Sequence, residues 1–129
     1  MLKPDNITNH AEALSKDYDV RGAGSAARAQ LLSGGNIQKL ILARGFDKNP
    51  VLILANQPTR GLDMGAAADV AQRLLEARSR GAGVVLISED LDEILRLSDR
   101  ILVIHDGYFM ETQTHDRTEL GLLMAGQAA

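Results

Sequence analysis

The feature that most limits how this chain can fold is Val51-Leu52-Ile53-Leu54-Ala55, five apolar residues in a row that end on two amides, Asn56 and Gln57. A run this short, without polar alternation, predicts a strand covered on both faces, as in a parallel sheet between helices. Two further apolar runs, Val84-Val85-Leu86-Ile87 and Ile101-Leu102-Val103-Ile104, follow it, with helix-length segments between them. That alternation reads as an α/β protein. Open sheets of this kind hold their ligands beyond the carboxyl ends of the strands. Asn56, Gln57 and the turn Pro58-Thr59-Arg60-Gly61-Leu62-Asp63 stand at that place on the first strand.

The periodicity predicts an amphipathic helix over 7–17, with Ile7, Ala11 and Leu14 on one side, then a small-residue connector from Arg21 to Ala27. A second helix opens from Gly34-Gly35 and runs from Asn36 to about Gly45, with Leu40, Ile41 and Phe46 as expected buried positions. A long helix over Gly65–Arg80, apolar at Val70, Leu74 and Leu75, is stopped by Gly81 and Gly83. Leu91–Leu97 is a short helix with Asp92 and Glu93 in its first turn. Asp106-Gly107 turns the chain into an antiparallel strand from Tyr108 to about Gln113. A last helix, Asp116–Met124, precedes a tail, Ala125–Ala129, expected to fray.

At 129 residues the chain fits one domain that buries roughly two-thirds of its unfolded surface. Fourteen basic against seventeen acidic residues leave a net charge of −3, which argues against a nucleic-acid partner. With no cysteine there is neither a disulfide framework nor a thiolate metal site, which suits a reducing cytoplasm. His10, His105 and His115 are scattered without ligand spacing. No apolar stretch approaches the ~20 residues of a membrane-spanning helix, and the N-terminus lacks the apolar core of a secretory signal. If the protein works at a membrane, another subunit must hold it there.

Leu32-Ser33-Gly34-Gly35-Asn36 puts a hydroxyl and successive backbone N–H groups at a helix N-terminus, where the helix dipole favours an anion. By itself Ser-Gly-Gly favours the reading of an ordinary serine cap on a surface helix. Leu31-Leu32-Ser33-Gly34-Gly35-Asn36-Ile37-Gln38-Lys39, followed by the apolar strand, resembles the second half of an ABC transporter ATP-binding cassette. The resemblance runs from about residue 7 to 115. Asn36 at the fifth position is similar to the branch that imports sugars and nucleosides, and Ile37 departs from its usual Gln. The resemblance implies that Ser33, Gly34, Gly35 and Asn36 form the signature loop. That loop closes over the γ-phosphate of ATP held by the opposite cassette of a head-to-tail pair. It also implies that Asp63, in Gly61-Leu62-Asp63, is the D-loop residue that reaches across the cassette interface.

The same resemblance makes Val51–Gln57 the Walker B strand, with Asn56 where the family has the Asp of the magnesium shell. Gln57 stands where the family has the general-base Glu. An amide keeps a carboxylate's shape but is uncharged and is no base near neutral pH. Asn56 is thus a weakened Mg²⁺ position, since hard cations favour charged oxygens. Ser88-Glu89-Asp90-Leu91 stands where the family reads Thr-His-Asp-Leu, so Glu89 takes the place of the switch histidine. Three departures at one site imply a degenerate nucleotide site with no intact catalytic residue, although acids at Glu89 and Asp90 also suit helix capping.

The Walker A loop, Gly-x-x-x-x-Gly-Lys-[Ser/Thr], occurs nowhere in these 129 residues. The aromatic that stacks on adenine and the glutamine loop that couples to the permease are also absent. The expected fold is therefore a partial P-loop NTPase core, parallel strands flanked by helices, with its Walker A half absent. Residues 1–45 are the end of the helical subdomain, and 46–129 the C-terminal part of the RecA-like core. A fragment or the remnant of a truncated reading frame is implied, with an apolar face left bare and open to self-association.

The function implied is part of the ATP-binding subunit of an importer for simple sugars or nucleosides, with ATP and Mg²⁺ as cofactors of the complete cassette pair. The chain alone is expected to be inactive. Its expected partners are a second cassette and transmembrane permease subunits, at the inner face of the cell membrane. The competing reading is a non-catalytic interaction module that keeps the cassette shape. A cassette of a DNA-repair or chromosome-organising ATPase fits poorly, given the acidic balance and the lack of coiled-coil heptads.

Overall fold

A computed structural model describes residues 3–127. Its elements are α1 (Pro4–Asp17), a 3₁₀ turn (Ala29–Leu31), α2 (Gly34–Phe46), β1 (Leu52–Asn56), α3 (Met64–Ser79), β2 (Gly83–Ile87), α4 (Leu91–Leu97), β3 (Ile101–His105), β4 (Tyr108–Thr112) and α5 (Arg117–Met124). The first helix begins at Pro4, three residues earlier than its apolar pattern predicts. Proline's fixed φ suits a first helical turn, where its missing N–H costs nothing.

Local chemistry sets most of the boundaries. Ser33, Asp63, Asp90 and Asp116 cap α2, α3, α4 and α5, each accepting from a backbone N–H of the first turn. Helix α3 ends in a Schellman motif: Gly81 has φ +93°, its N–H donates to Arg78 O, and the Ala82 N–H donates to Ala77 O. At the hairpin between β3 and β4, Asp106 and Gly107 both take positive φ, 46° and 81°. Those angles belong to the turn whose twist matches an antiparallel pair. The strands pair from Ile101↔Thr112 to His105↔Tyr108.

Strand β1 pairs with β2. The Gly83 N–H donates to Val51 O and the Gln57 N–H to Ile87 O, so both strands advance together, as in a parallel ladder. Among the described residues parallel pairing is confined to these two strands; β3 pairs with β4 antiparallel. The chain divides into two compact units. One runs to Ile53 and resumes over Pro58–Val85; the other comprises Leu54–Gln57 and resumes at Leu86.

In the first unit, α3 buries Val70, Ala71, Leu74 and Ala77 on one face, and α2 buries Ala43. Leu75 is half-buried. In the second, Ile101, Val103 and Leu120 form a core against which Leu91, Ile94, Leu95 and Leu123 pack.

Two expectations about burial fail. Strand β1 is not covered on both faces: Leu52 is 64% exposed and Leu54 70% on one face, while Ile53 is half-buried and Ala55 buried on the other; Val51, 86% exposed, precedes the strand. Covering the bare face takes a second layer, and none lies over it among the described residues. Leu40 and Ile41 of α2 are exposed and Phe46 only half-buried, because Ala43 is the position that turns inward. Glu93, in the first turn of α4, is buried at 5% exposure, and neither carboxylate oxygen has a hydrogen-bond partner among the described residues. Of the expected frayed tail, Ala125–Gln127 close the last turn by backbone hydrogen bonds to Gly121, Leu122 and Leu123, and the final two residues lie outside the described region.

Candidate signature-loop cleft

Helix α2 opens at Ser33, whose backbone is extended (φ −64°, ψ 158°) and whose carbonyl accepts from the Ile37 N–H. The Ser33 Oγ accepts from the Asn36 N–H at 3.4 Å and from Asn36 Nδ2 at 2.9 Å. Gly34 and Gly35 are the first helical residues, so their N–H groups have no intrahelical acceptor, and none is found elsewhere among the described residues. Neither glycine has positive φ, and a Cβ added to either would meet nothing within 4 Å. The chain's own packing therefore gives no reason for glycine at either position.

Ser33, Gly35 and Asn36 line a polar cleft of about 300 Å³ in the first unit, together with Gly61, Leu62, Asp63 and Ala66 from the turn into α3. Gly61 supplies φ +76° at this turn. The Asp63 Oδ1 accepts from the Ala66 N–H at 2.9 Å, so this residue caps α3 while it borders the cleft. Gln38 Nε2 donates to Pro58 O, which ties α2 to the same turn.

The cleft also contains residues to which the sequence reading assigns no role. Asp19, Arg21 and Lys39 line it. Asp19 has φ +48°, a left-handed conformation that aspartate tolerates better than most residues. Its carboxylate accepts from Arg21 Nε at 3.0 Å and from Lys39 Nζ at 3.1 Å, and its carbonyl accepts from Lys39 as well. The hydrogen bond from Arg21, then that from Lys39, holds the Asp19 carboxyl below its ordinary pKa of 3.8. Lys39 was legible in principle, since it lies one helical turn after Gly35. Nothing in the sequence marks Asp19 or Arg21.

The segment leading to Asp19 is anchored on α3. Arg73 stacks 3.7 Å from the Tyr18 ring centroid, and its guanidinium donates to Asp17 Oδ2 and Asp17 O. Burial of the Tyr18 ring raises its phenol pKa, with Arg73 partly opposing the shift.

Gly34 belongs to the first unit but does not line this cleft, and Asn56, Gln57 and Glu89 belong to the second unit. Asn56 is exposed at the end of β1. Gln57 follows with φ +49°, a strained backbone for a long side chain, pinned by its N–H bond to Ile87 O. Glu89 is exposed, one residue after Ser88, whose Oγ accepts from the Asp90 N–H. Among the described residues no group of three or more His, Cys, Asp or Glu is placed to hold a metal ion. Asn56 offers one neutral amide, which is a poor donor set for Mg²⁺. No helix among the described residues is long and apolar enough to cross a membrane.

No protein-family model matches the chain. It is 50% identical over 128 residues to the nucleoside import ATP-binding protein of Lactococcus lactis subsp. cremoris, a match spanning 97% of this chain and 25% of that protein. It is 52% identical over 122 residues to the glucose import ATP-binding protein of Haloferax volcanii (91% and 22%) and 49% identical over 129 residues to the guanosine import ATP-binding protein of Bacillus subtilis (98% and 25%). The chain thus spans about a quarter of the length of the curated relatives it matches. Among solved structures it is similar to a dimeric post-hydrolysis ATP-binding cassette bound to ADP and phosphate. That likeness has a TM-score of 0.74 and 27% identity, over 87% of this chain and 49% of that one. A second dimeric ABC transporter cassette gives a TM-score of 0.70 at 28% identity, over 83% and 46%. The chain has the partial fold of an ABC-type ATP-binding cassette, about half of one, and its sequence relatives are ATP-binding subunits that import nucleosides and sugars.

Proposed function

We propose that this chain is part of the ATP-binding subunit of an importer for nucleosides or simple sugars, and that it supplies the signature loop to the ATP site of a partner cassette. The observation that carries the reading is the pair Gly34-Gly35. Their N–H groups are unpaired, and glycine is required there neither by φ nor by crowding, so its use points to a group that approaches from outside the chain. Residues 1–45 act as the end of the helical subdomain and 46–129 as the C-terminal part of the core.

The residues fit a terminal phosphate held by a partner. The Gly34 and Gly35 N–H groups and the Ser33 hydroxyl are donors at a helix N-terminus, and Lys39 borders the same cleft. When ATP is bound between the cassettes, its γ-phosphate is transferred to water. This chain's donors, fixed before the reaction, stabilise the charge that develops on the phosphoryl oxygens. They abstract no proton. Asp63 orders the turn into α3 at the rim of the cleft and so presents its backbone to the partner.

The second nucleotide site, to which this chain would give Asn56, Gln57 and Glu89, is degenerate. Gln57 can orient water but cannot take its proton, and Glu89 repels a phosphate. In the complete subunit, contact with the permease holds the protein at the cytoplasmic face of the membrane. The chain by itself associates with a second copy through the bare face of β1, where Leu52 and Leu54 are exposed.

Calorimetric titration of the chain with ATP and Mg²⁺ tests the reading. No detectable binding is expected, because the loop acts on nucleotide held by another cassette. Micromolar binding by the chain alone would overturn it.

A further inference from the structure

We infer that Asn36 is a positioning residue for Ser33: it commits the serine hydroxyl to donate its proton into the cleft. The inference rests on the proposed function, and on one hydrogen-bond chain within the first unit.

The Arg21 backbone N–H donates to Asn36 Oδ1 at 2.7 Å. A backbone N–H can only donate, so the amide oxygen must face Arg21, and the amide NH₂ must then face Ser33. Asn36 Nδ2 accordingly donates to Ser33 Oγ at 2.9 Å, and the Asn36 backbone N–H reaches the same oxygen at 3.4 Å. A serine hydroxyl has two acceptor lone pairs and one proton. Both lone pairs are engaged by Asn36, which leaves only the proton for a ligand. No acceptor for that proton exists among the described residues, and Ser33 lines the cleft. The hydroxyl is therefore a dedicated donor, matched to an anionic oxygen and mismatched to another donor.

The polarity of the chain begins at Asp19. Its carboxylate holds the Arg21 side chain and Lys39, which fixes the backbone segment whose N–H sets the Asn36 amide.

The test uses Ser33→Ala, Asn36→Asp, Asn36→Ala and the double variant Ser33→Ala/Asn36→Asp. In Asn36→Asp the side chain still accepts from Arg21 but also accepts from Ser33, which draws the hydroxyl proton inward. In the complete ATP-binding subunit of which this chain is proposed to be part, Ser33→Ala is expected to lower kcat/KM for ATP roughly five- to tenfold, the worth of one hydrogen bond. Asn36→Asp and Asn36→Ala should each lower it, and the double variant should fall no further than Ser33→Ala alone. Independent, additive losses would overturn the inference and leave the proposed function standing. If Ser33→Ala leaves hydrolysis unchanged, the proposed function fails instead.

A second readout needs no nucleotide. In the chain itself, the Asn36 side-chain amide protons should exchange slowly by NMR, and Ser33→Ala should speed that exchange. Fast exchange in the unsubstituted chain would overturn the positioning role.

Discussion

Replacing Leu52 and Leu54 together by lysine should abolish self-association while leaving the fold in place. Full burial of a Leu or Val side chain stabilises by about 1.5–3 kcal/mol. Leu52 and Leu54 of β1 and Val85 and Ile87 of β2 share one face and are 64%, 70%, 49% and 42% exposed, so a little over two full burials remain unrealised on each copy. Pairing two such faces makes available about 6–12 kcal/mol, from which the lost freedom of association removes at least about 4 kcal/mol. The upper end leaves about 8 kcal/mol, a Kd near 1 μM. Lysine at Leu52 and Leu54 removes more than half of that term and places like charges opposite each other. Because these side chains contribute little inside the chain, unfolding free energy should change by less than about 1 kcal/mol. Sedimentation equilibrium at about 100 μM, roughly a hundred times that Kd, reads the outcome directly. A monodisperse monomer of the unsubstituted chain at that concentration refutes the argument. So does a lysine variant that associates as strongly as the original.

Two further perturbations probe the interior and the cleft. Glu93→Leu removes a buried carboxylate without hydrogen-bond partners and should raise unfolding free energy by about 1–3 kcal/mol in urea titration; a loss of similar size would refute the reading that Glu93 is unpaired. Asp19, held low by Arg21 and Lys39, gives stability that is present above its unfolded pKa of 3.8 and is lost as pH falls through the folded value. Glu111, held low by Arg100, acts in the same direction, so Asp19→Asn isolates the cleft. The variant should show a shallower fall in melting temperature from about pH 5 to about pH 3, and an unchanged slope would exclude the Asp19 contribution.

The sequence alone determined the element order, because its signals act over a few residues. A serine or aspartate three positions before a helical N–H caps it wherever the helix later packs, so Ser33, Asp63, Asp90 and Asp116 mark their helices in advance. Gly81 and Asp106-Gly107 fix their turns through their own φ values. The motif order from Ser33 to Asp63 was equally legible and marked out Ser33, Gly35, Asn36, Gly61, Leu62 and Asp63 among the residues that line the cleft.

Only the tertiary structure decided what depends on residues far apart in the chain. Five apolar residues predict a strand, but whether both of its faces are covered depends on layers contributed from elsewhere, and one face of β1 is bare. Glu93 reads as a first-turn acid, and its burial follows from packing around α4. Asp19 and Arg21 carry no motif; they reach Asn36 and Lys39 of α2 because Arg73 on α3 anchors Asp17 and Tyr18 at the end of α1. Spacing of three or four residues encodes caps and faces, whereas a cleft assembled across tens of residues is encoded only by the packing that closes it.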